Sequence, residues 1–533
     1  MILIVKITAM LRPLFVACAL ALPVFPAQAL TPGQSVAGFL PADAARDHPL
    51  SLSPGDYVSG RFQAAGARLL LLGGGEAREL AAPQDGEQDF QFIAGPGRAF
   101  VLQVKASRDG DYRLAMDKRL PPAEQRRPAR PDSPRLARLA RELAQGGGSA
   151  AFWREAAARG GPWIEDDPAK PGHALVTFLW RGARANVRIH GGPSQNQDEM
   201  ARLGDSDVWY RTYSVPRDAR FSYRLAPDVP QLDGDFMTRR RAILATAQRD
   251  PLNPRSFPEG AADRFAASST LELPLARPTP WLAVDPATPR GEVVERELAS
   301  AVLGNRRKLW LYRPAGYRPG HADNALLLVF DGQAYRREVP TPRILDNLIA
   351  AGRIPPTAAI LIDNPDAAAR GRELPPNPAF ADFLARELLP WASRQGLAAP
   401  AARTVIAGSS YGGLAAAYAA LRHPESFGLV YAQSGSFWWS PGGPEGGAEP
   451  GWLTREYVRA DRLPLRFYLE AGRYENNGMT DIFGETRRFR DVLLAKGYPV
   501  AHREHASAHD YFHWRASFAD GLIDLLGPLA PVR

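Results

Sequence analysis

The sequence predicts an α/β domain over residues 285–533, preceded by two β-sandwich-like domains over residues 30–120 and 150–284. Three observations carry that expectation. From about Gly291 onward, apolar runs alternate with amphipathic helical stretches, the pattern of a mostly parallel sheet with covering helices. Before it, short apolar segments recur between Gly, Pro and Asp turns, as they do where two sheets pack face to face. Between Thr404 and Arg422 an apolar run, a Gly-Ser-Ser-Tyr-Gly turn and an alanine-rich stretch follow without a break, which reads as strand, sharp turn and helix.

The chain opens on a segment expected to be removed. Arg12 precedes the apolar stretch Leu14 to Phe25, and Ala27-Gln28-Ala29 is an A-x-A cleavage signal. Met10 is a plausible start within it. Residues 1–29 therefore read as an export signal, which implies a periplasmic location for the rest. Elsewhere no stretch reaches the ~18 uninterrupted apolar residues that span a bilayer, so no stable membrane insertion is expected. Cys18 is the only cysteine and lies inside the signal. The mature chain is thus expected to hold no disulfide, no thiol nucleophile and no cysteine-based metal site. Loss of Lys6 and Arg12 lowers the formal charge from +8 to +6. That mild excess favours anionic ligands and marks no nucleic-acid module. Its 533 residues allow about three domains.

Taken in order, residues 31–118 contain the strand candidates Arg68 to Leu72, Phe90 to Ile93 and Phe100 to Val104. Residues 121–149, rich in Pro, Arg and Gly, read as a linker holding one helix, Ser133 to Gln145. The middle domain offers strands at Ala174 to Trp180, Ala185 to His190, Val208 to Tyr213 and Arg220 to Leu225. In the last domain the strands are Leu326–Phe330, Ala358–Ile362, Thr404–Ala407, Phe427–Ala432, Leu465–Glu470 and Ala501–His505. Its helices are Phe380–Ser393, Gly413–Arg422, Glu485–Lys496 and Ser517–Leu526.

The turn after Ala407 carries the chemistry. Gly408-Ser409-Ser410-Tyr411-Gly412 fits G-x-S-x-G, and a strand before it with a helix after it is the context of a nucleophile elbow. Side chains at 408 or 412 are expected to crowd that turn. Ser410 is then lifted above the sheet edge, where a helix N-terminus favours developing negative charge. A serine hydroxyl needs a general base, and the base needs an orienting acid. In α/β-hydrolases these follow in the order Ser, acid, His. Five histidines come after Ser410: His423, His502, His505, His509 and His513. His423 ends the elbow helix, where a cap is the expected role. His509 follows the last strand and precedes the final helix, the place of the base; His505 and His513 are its rivals. The acid follows the preceding strand, at Glu475 or, closer to the strand, at Glu470. An oxyanion hole needs backbone N–H groups. Tyr411 supplies one, and the loop Asp331-Gly332-Gln333 the second, through Gly332 or Gln333.

Residues from about 150 to the C-terminus resemble the enterochelin esterases, which cleave the tri-serine lactone of ferric catecholate siderophores. In the middle domain the resemblance is carried by Val176-Thr-Phe-Leu-Trp-Arg181, Asp207-Val-Trp209 and Asp250-Pro-Leu-Asn-Pro254. In the last domain it is carried by Asp331-Gly-Gln333, Arg370 with Glu373-Leu-Pro375, Gly408 to Gly413, Gln433 to Trp439, Leu469 to Gly472, and His509-Asp510 with Trp514-Arg515. It implies an α/β-hydrolase domain, a triad of Ser410, Glu475 and His509, no cofactor or resident metal, and a middle domain that helps to shape the pocket. The export signal and the extra β-rich region before residue 120 depart from the family's common pattern.

A ferric tris-catecholate is a trianion with flat rings. Arginine meets such a ligand with charge and a stacking plane. Arg370, Arg372 and Arg473 stand on loops above the predicted sheet, and Trp438 and Trp439 follow the strand after the elbow, placed to stack on catechol rings. Two other readings remain: an acyl or feruloyl esterase with the same triad, and a non-catalytic siderophore- or glycan-binding protein.

Overall fold

The computed structural model describes residues 29–73, 77–97, 99–125, 131–443, 449–476 and 480–528. Apart from Ala29, the expected export signal lies outside the described residues. The chain divides into two compact units, residues 1–128 and 129–533.

In the first unit, two four-stranded antiparallel sheets enclose one core. Their orders are Gln34–Leu40, Gly110–Leu120, Tyr57–Ala64, Gln84–Ile93, and Ala45–Leu50, Phe100–Ala106, Ala67–Leu72, Arg78–Ala81. Period-two alternation does the work. Along Phe100–Ala106 every second residue is buried, so Phe100, Leu102 and Val104 meet Val58, Phe62 and Leu114 inside.

The second unit begins with a helix, Pro134–Ala144, whose N-cap Ser133 accepts a hydrogen bond from the Leu136 N–H. Its Leu136 and Leu139 are buried against Trp153, Trp163 and Leu179. Two further four-stranded sheets follow: Ala201–Arg202, Val208–Pro216, His173–Arg181, Trp163–Asp166, and Val187–Gly191, Arg220–Pro227, Ser268–Glu272, Ser256–Phe257. They share a core of Val176, Phe178, Ile189, Phe221 and Tyr223, which also takes in Ala506 and Ala508 from the far end of the chain.

An eight-stranded sheet organises the rest, in the order Glu292–Ser300, Asn305–Arg313, Thr357–Ile362, Ala325–Phe330, Thr404–Ser409, Leu429–Gln433, Arg466–Gly472, Val500–His505. The first two strands pair antiparallel, and so do the second and third; the remaining pairs are parallel. Helices cover both faces, which is why the central strands are apolar throughout. Leu326, Leu328 and Phe330 enter one core, and Leu327 and Val329 the other.

Two helices differ from expectation. Phe380–Ser393 was expected as one helix, but the structure has Pro378–Asp382, a π-helical turn Phe383–Leu388, and Leu389–Arg394. Pro390 brings no N–H to the ladder, and the wider turn accommodates its absence. The final helix starts at Tyr511 rather than Ser517, because Asp510 caps it by accepting the His513 N–H at 2.8 Å. This places His513 and Trp514 on the helix.

Candidate active site

The elbow strand Thr404–Ser409 ends in a turn whose strain falls on Ser410 itself, at φ 58° and ψ −122°. A left-handed serine costs on the order of 1–3 kcal/mol unless its surroundings hold it. They do: Ser410 N–H donates to the Gln433 carbonyl at 3.0 Å, and Ser436 N–H donates to the Ser410 carbonyl at 3.0 Å. The expected crowding is confined to Gly408, where a Cβ would fall 2.7 Å from the Gly412 carbonyl carbon. At Gly412 a Cβ would make an ordinary 3.4 Å contact with Phe330, so that half of the expectation is corrected. The Ser410 hydroxyl lies 3.4 Å from that of Ser436. Tyr411 opens the helix Tyr411–Arg422, and its N–H belongs to the first turn, whose amides have no partner within the helix.

Two strands along, Arg466–Gly472 runs into a tight loop that carries Glu475. Its side chain is fully buried; one oxygen accepts the Gly472 N–H at 3.1 Å, and the other stands 3.1 Å from Nδ1 of His509. His509 lies beyond the last strand, its ring edge-on to Trp514 at 4.8 Å. Trp514 in turn donates to the Ser434 hydroxyl at 3.0 Å, which ties the region around His509 to the turn beside the elbow. The rival carboxylate is otherwise engaged. Glu470 accepts from Gln433 Nε2 at 2.8 Å and from the Ser517 hydroxyl at 2.6 Å. His423 caps the elbow helix and sits between Asp382 and Glu425. His505 and His513 line a different cavity from the one that holds His509.

Asp331 adopts a left-handed conformation, φ 54°, ahead of Gly332. Gln333 N–H makes one long contact, 3.4 Å, to Asp363. Arg370 holds Asp331 by a two-pronged ion pair, Nε to Oδ1 at 2.7 Å and a terminal nitrogen to Oδ2 at 2.8 Å. Its guanidinium also lies 5.9 Å above the Tyr411 ring. Glu373, near Arg370 in sequence, pairs with the buried Arg307 at 2.9 Å. Arg370 thus links the two loops that would form an oxyanion hole. Arg372 and Arg473 are exposed. Trp438 is half-buried, its ring 6.1 Å from Tyr411, whereas Trp439 packs edge-on against Trp452 toward the core.

The middle domain reaches the loop that carries His509. Arg220 N–H donates to the Ala506 carbonyl and Ser222 N–H to Asp510, both at 3.0 Å. Burial pushes the Asp510 carboxyl up to about 6. A cavity of about 450 Å³ opens between the domains, lined by His509, Tyr511 and Glu338 on one side and by His190, Arg224 and Phe257 on the other. Burial, then Arg240 and Arg224 nearby, lower His190 to about 4. Arg224 was not singled out in the sequence. Arg224 sits in a strand with a period-two pattern, and only the fold shows which surface that face meets.

Comparison with known proteins shows the family of the chain. Residues 300–525 match the family model named Esterase, and residues 175–282 match that of the enterochelin esterase N-terminal domain. The iron(III) enterobactin esterase of Dickeya dadantii is 33% identical over 420 residues, 71% of this chain and 93% of that protein. The iron(III) salmochelin esterase of Escherichia coli O6:H1 is 26% identical over 414 residues, 70% of this chain and 93% of that protein. Among solved structures, the ferric enterobactin esterase of Salmonella typhimurium aligns with a TM-score of 0.58 at 30% identity, covering 70% of this chain and 98% of that one. The enterobactin esterase of Shigella flexneri, crystallised in the presence of enterobactin, aligns at 0.56 and 30%, covering 71% and 98%.

Proposed function

The chain belongs to the enterochelin esterase family, an ester hydrolase by that membership, and from this premise we propose that it hydrolyses the trilactone backbone of a ferric catecholate siderophore, with Ser410 as nucleophile, His509 as base and Glu475 as its orienting acid. The contact between Glu475 and Nδ1 of His509 carries the reading, because it fixes the tautomer that leaves Nε2 free to accept a proton. In the first step Ser410 Oγ bonds to a seryl ester carbon while its proton passes to Nε2 of His509. The oxyanion is met by the N–H groups of Tyr411 and of Gly332 or Gln333. His509 then protonates the departing serine hydroxyl, and a water, activated by the same imidazole, releases the acyl chain. The iron and its catechols are cargo and take no part in the proton traffic.

Arg224 and the cavity beside His509 supply cationic, partly aromatic walls for one arm of the trianion, with Trp438 next to the elbow; exposed Arg372 and Arg473 act as rim charges. We assign Arg370 the holding of Asp331, and hence the shape of the oxyanion loop. We further read the β-rich regions over residues 30–120 and 150–284 as two-sheet sandwiches, and the site of action as the periplasm.

The test is hydrolysis of a ferric tri-catecholate trilactone against a small acyl ester and a feruloyl ester, followed by chromatography for N-(2,3-dihydroxybenzoyl)serine products. The trilactone is expected to exceed the simple esters in kcat/KM by about 10² or more, since its remote groups contribute binding energy that a small ester lacks. A preference for the feruloyl ester would move the protein to the acyl-esterase reading. Arg370→Ala leaves the buried Asp331 carboxylate without its counter-ion, with only Asn364 Nδ2 still donating to it at 2.6 Å, and a lost charged hydrogen bond of this kind costs about 1.5–3 kcal/mol. We expect kcat to fall about 10–100-fold on the trilactone and on a neutral acetate ester alike. A loss confined to the anionic substrate and shrinking at high salt would instead place Arg370 against the ligand.

A further inference from the structure

Behind the sheet edge, Glu470, His505 and His513 bring one ligand atom each within 4.8 Å of one another. They arrive from three elements: Glu470 from the strand Arg466–Gly472, His505 from the end of Val500–His505, and His513 from the final helix. The two imidazole rings stand 4.5 Å apart, and His505 Nε2 is 3.7 Å from Glu470 Oε2. Both Nε2 atoms are buried, and among the described residues neither has a hydrogen-bond partner. His513 is 4% exposed and Glu470 is fully buried. A buried polar atom without a partner costs about 1–3 kcal/mol, and two beside one carboxylate call for an explanation.

The surroundings orient the carboxylate as the neighbours of a metal ligand do. Gln433 Nε2 and the Ser517 hydroxyl hold Oε1 of Glu470, which leaves Oε2, with only a long 3.4 Å contact from Tyr431, turned to the histidines. A cavity of about 260 Å³ adjoins the two rings, lined also by Asp218 and Asp520. The arginines on its wall are neutralised locally, Arg220 by Glu272 at 3.0 Å and Arg277 by Asp520 at 2.8 Å.

We propose that Glu470, His505 and His513 form a binding site for a divalent transition-metal ion, separate from the Glu475–His509 pair, with water from the adjoining cavity completing the coordination. Two imidazoles and one carboxylate suit zinc and its first-row neighbours. Bonds of about 2.0–2.1 Å set donors about 3.3 Å apart in a tetrahedral site, so the three close by at most about 1.5 Å. His505, at the end of its strand with its side chain 14% exposed and lining the adjoining cavity, is the ligand placed to shift. The ion satisfies both orphaned nitrogens and compensates a carboxylate that is otherwise a buried anion.

The experiment uses the full chain, stripped with a chelator and titrated with zinc against a chromophoric competitor, with X-ray absorption on the loaded protein. Uptake of one zinc per chain with two imidazole ligands is expected. His505→Gln removes a ligand and should weaken it by at least about 100-fold, since loss of even an outer partner of a ligand costs about 10–100-fold. Glu470→Gln provides the same reading should His505→Gln fail to fold. Zinc should raise the melting temperature of the wild type and not that of either variant. His509→Ala should bind zinc as the wild type does. Failure to take up zinc, full affinity in both ligand variants, or loss of the ion in His509→Ala would overturn the site.

Discussion

Ser410→Ala is expected to lower kcat by about 10⁶ while leaving the fold and ligand binding intact, because a serine and its base act as one unit. The substitution removes only the hydroxyl. The bonds that hold the elbow, Ser410 N–H to the Gln433 carbonyl and Ser436 N–H to the Ser410 carbonyl, belong to the backbone and survive. Alanine at φ 58° is strained much as serine is, so the change in stability should be small. The residual rate should still exceed that in water by about 10³–10⁴, from oxyanion donors and substrate binding. Product chromatography on the ferric trilactone measures the loss, and a mass increment of one acyl group on wild type but not on the variant identifies the nucleophile. Turnover within tenfold of wild type in a folded Ser410→Ala protein would sink the assignment.

The sequence made this site legible to different depths. The elbow was plain, since a short motif between a strand and a helix is a local signal, and the structure places the strand at Thr404–Ser409. The parallel strands were also clear, since burial on both faces writes itself as continuous apolar runs. By contrast the outer strands Glu292–Ser300 and Asn305–Arg313 escaped notice, because charged residues break the apolar signal in both; most face solvent, but Arg307 is buried against Glu373, a pairing no local pattern shows. The pairing of Arg370 with Asp331 spans 39 positions, and no spacing rule connects them. The same holds for Arg224, which lines the same cavity as His509: strand alternation shows that two faces exist, and only tertiary packing decides which one looks into that cavity. The resemblance supplied the order of the motifs, and the fold supplied which of two glutamates meets the histidine.

That choice of glutamate gives the second large effect. His509→Ala should cost about as much as Ser410→Ala, near 10⁶ in kcat, and Glu475→Gln less, about 10⁴, as for acids that orient a base. Glu475 is fully buried and accepts two N–H donors, from Gly472 and from Nδ1 of His509. A glutamine there has one carbonyl for two donors. If its carbonyl keeps Gly472, its amide faces Nδ1 and forces the tautomer with the proton on Nε2, which cannot accept from Ser410. Glu470→Gln should stay within about tenfold of wild-type kcat, because that carboxylate is bound to Gln433 and Ser517 rather than to the base. Steady-state rates of the three single variants, and of Glu475→Gln combined with His509→Ala, check the argument. Once the base is gone an orienting acid has nothing left to orient, so the double variant should be no slower than His509→Ala alone. A neutral Glu475→Gln with a crippled Glu470→Gln would transfer the acid's role to the strand-end carboxylate. A further large loss in the double variant would mean that Glu475 acts on the substrate rather than through His509.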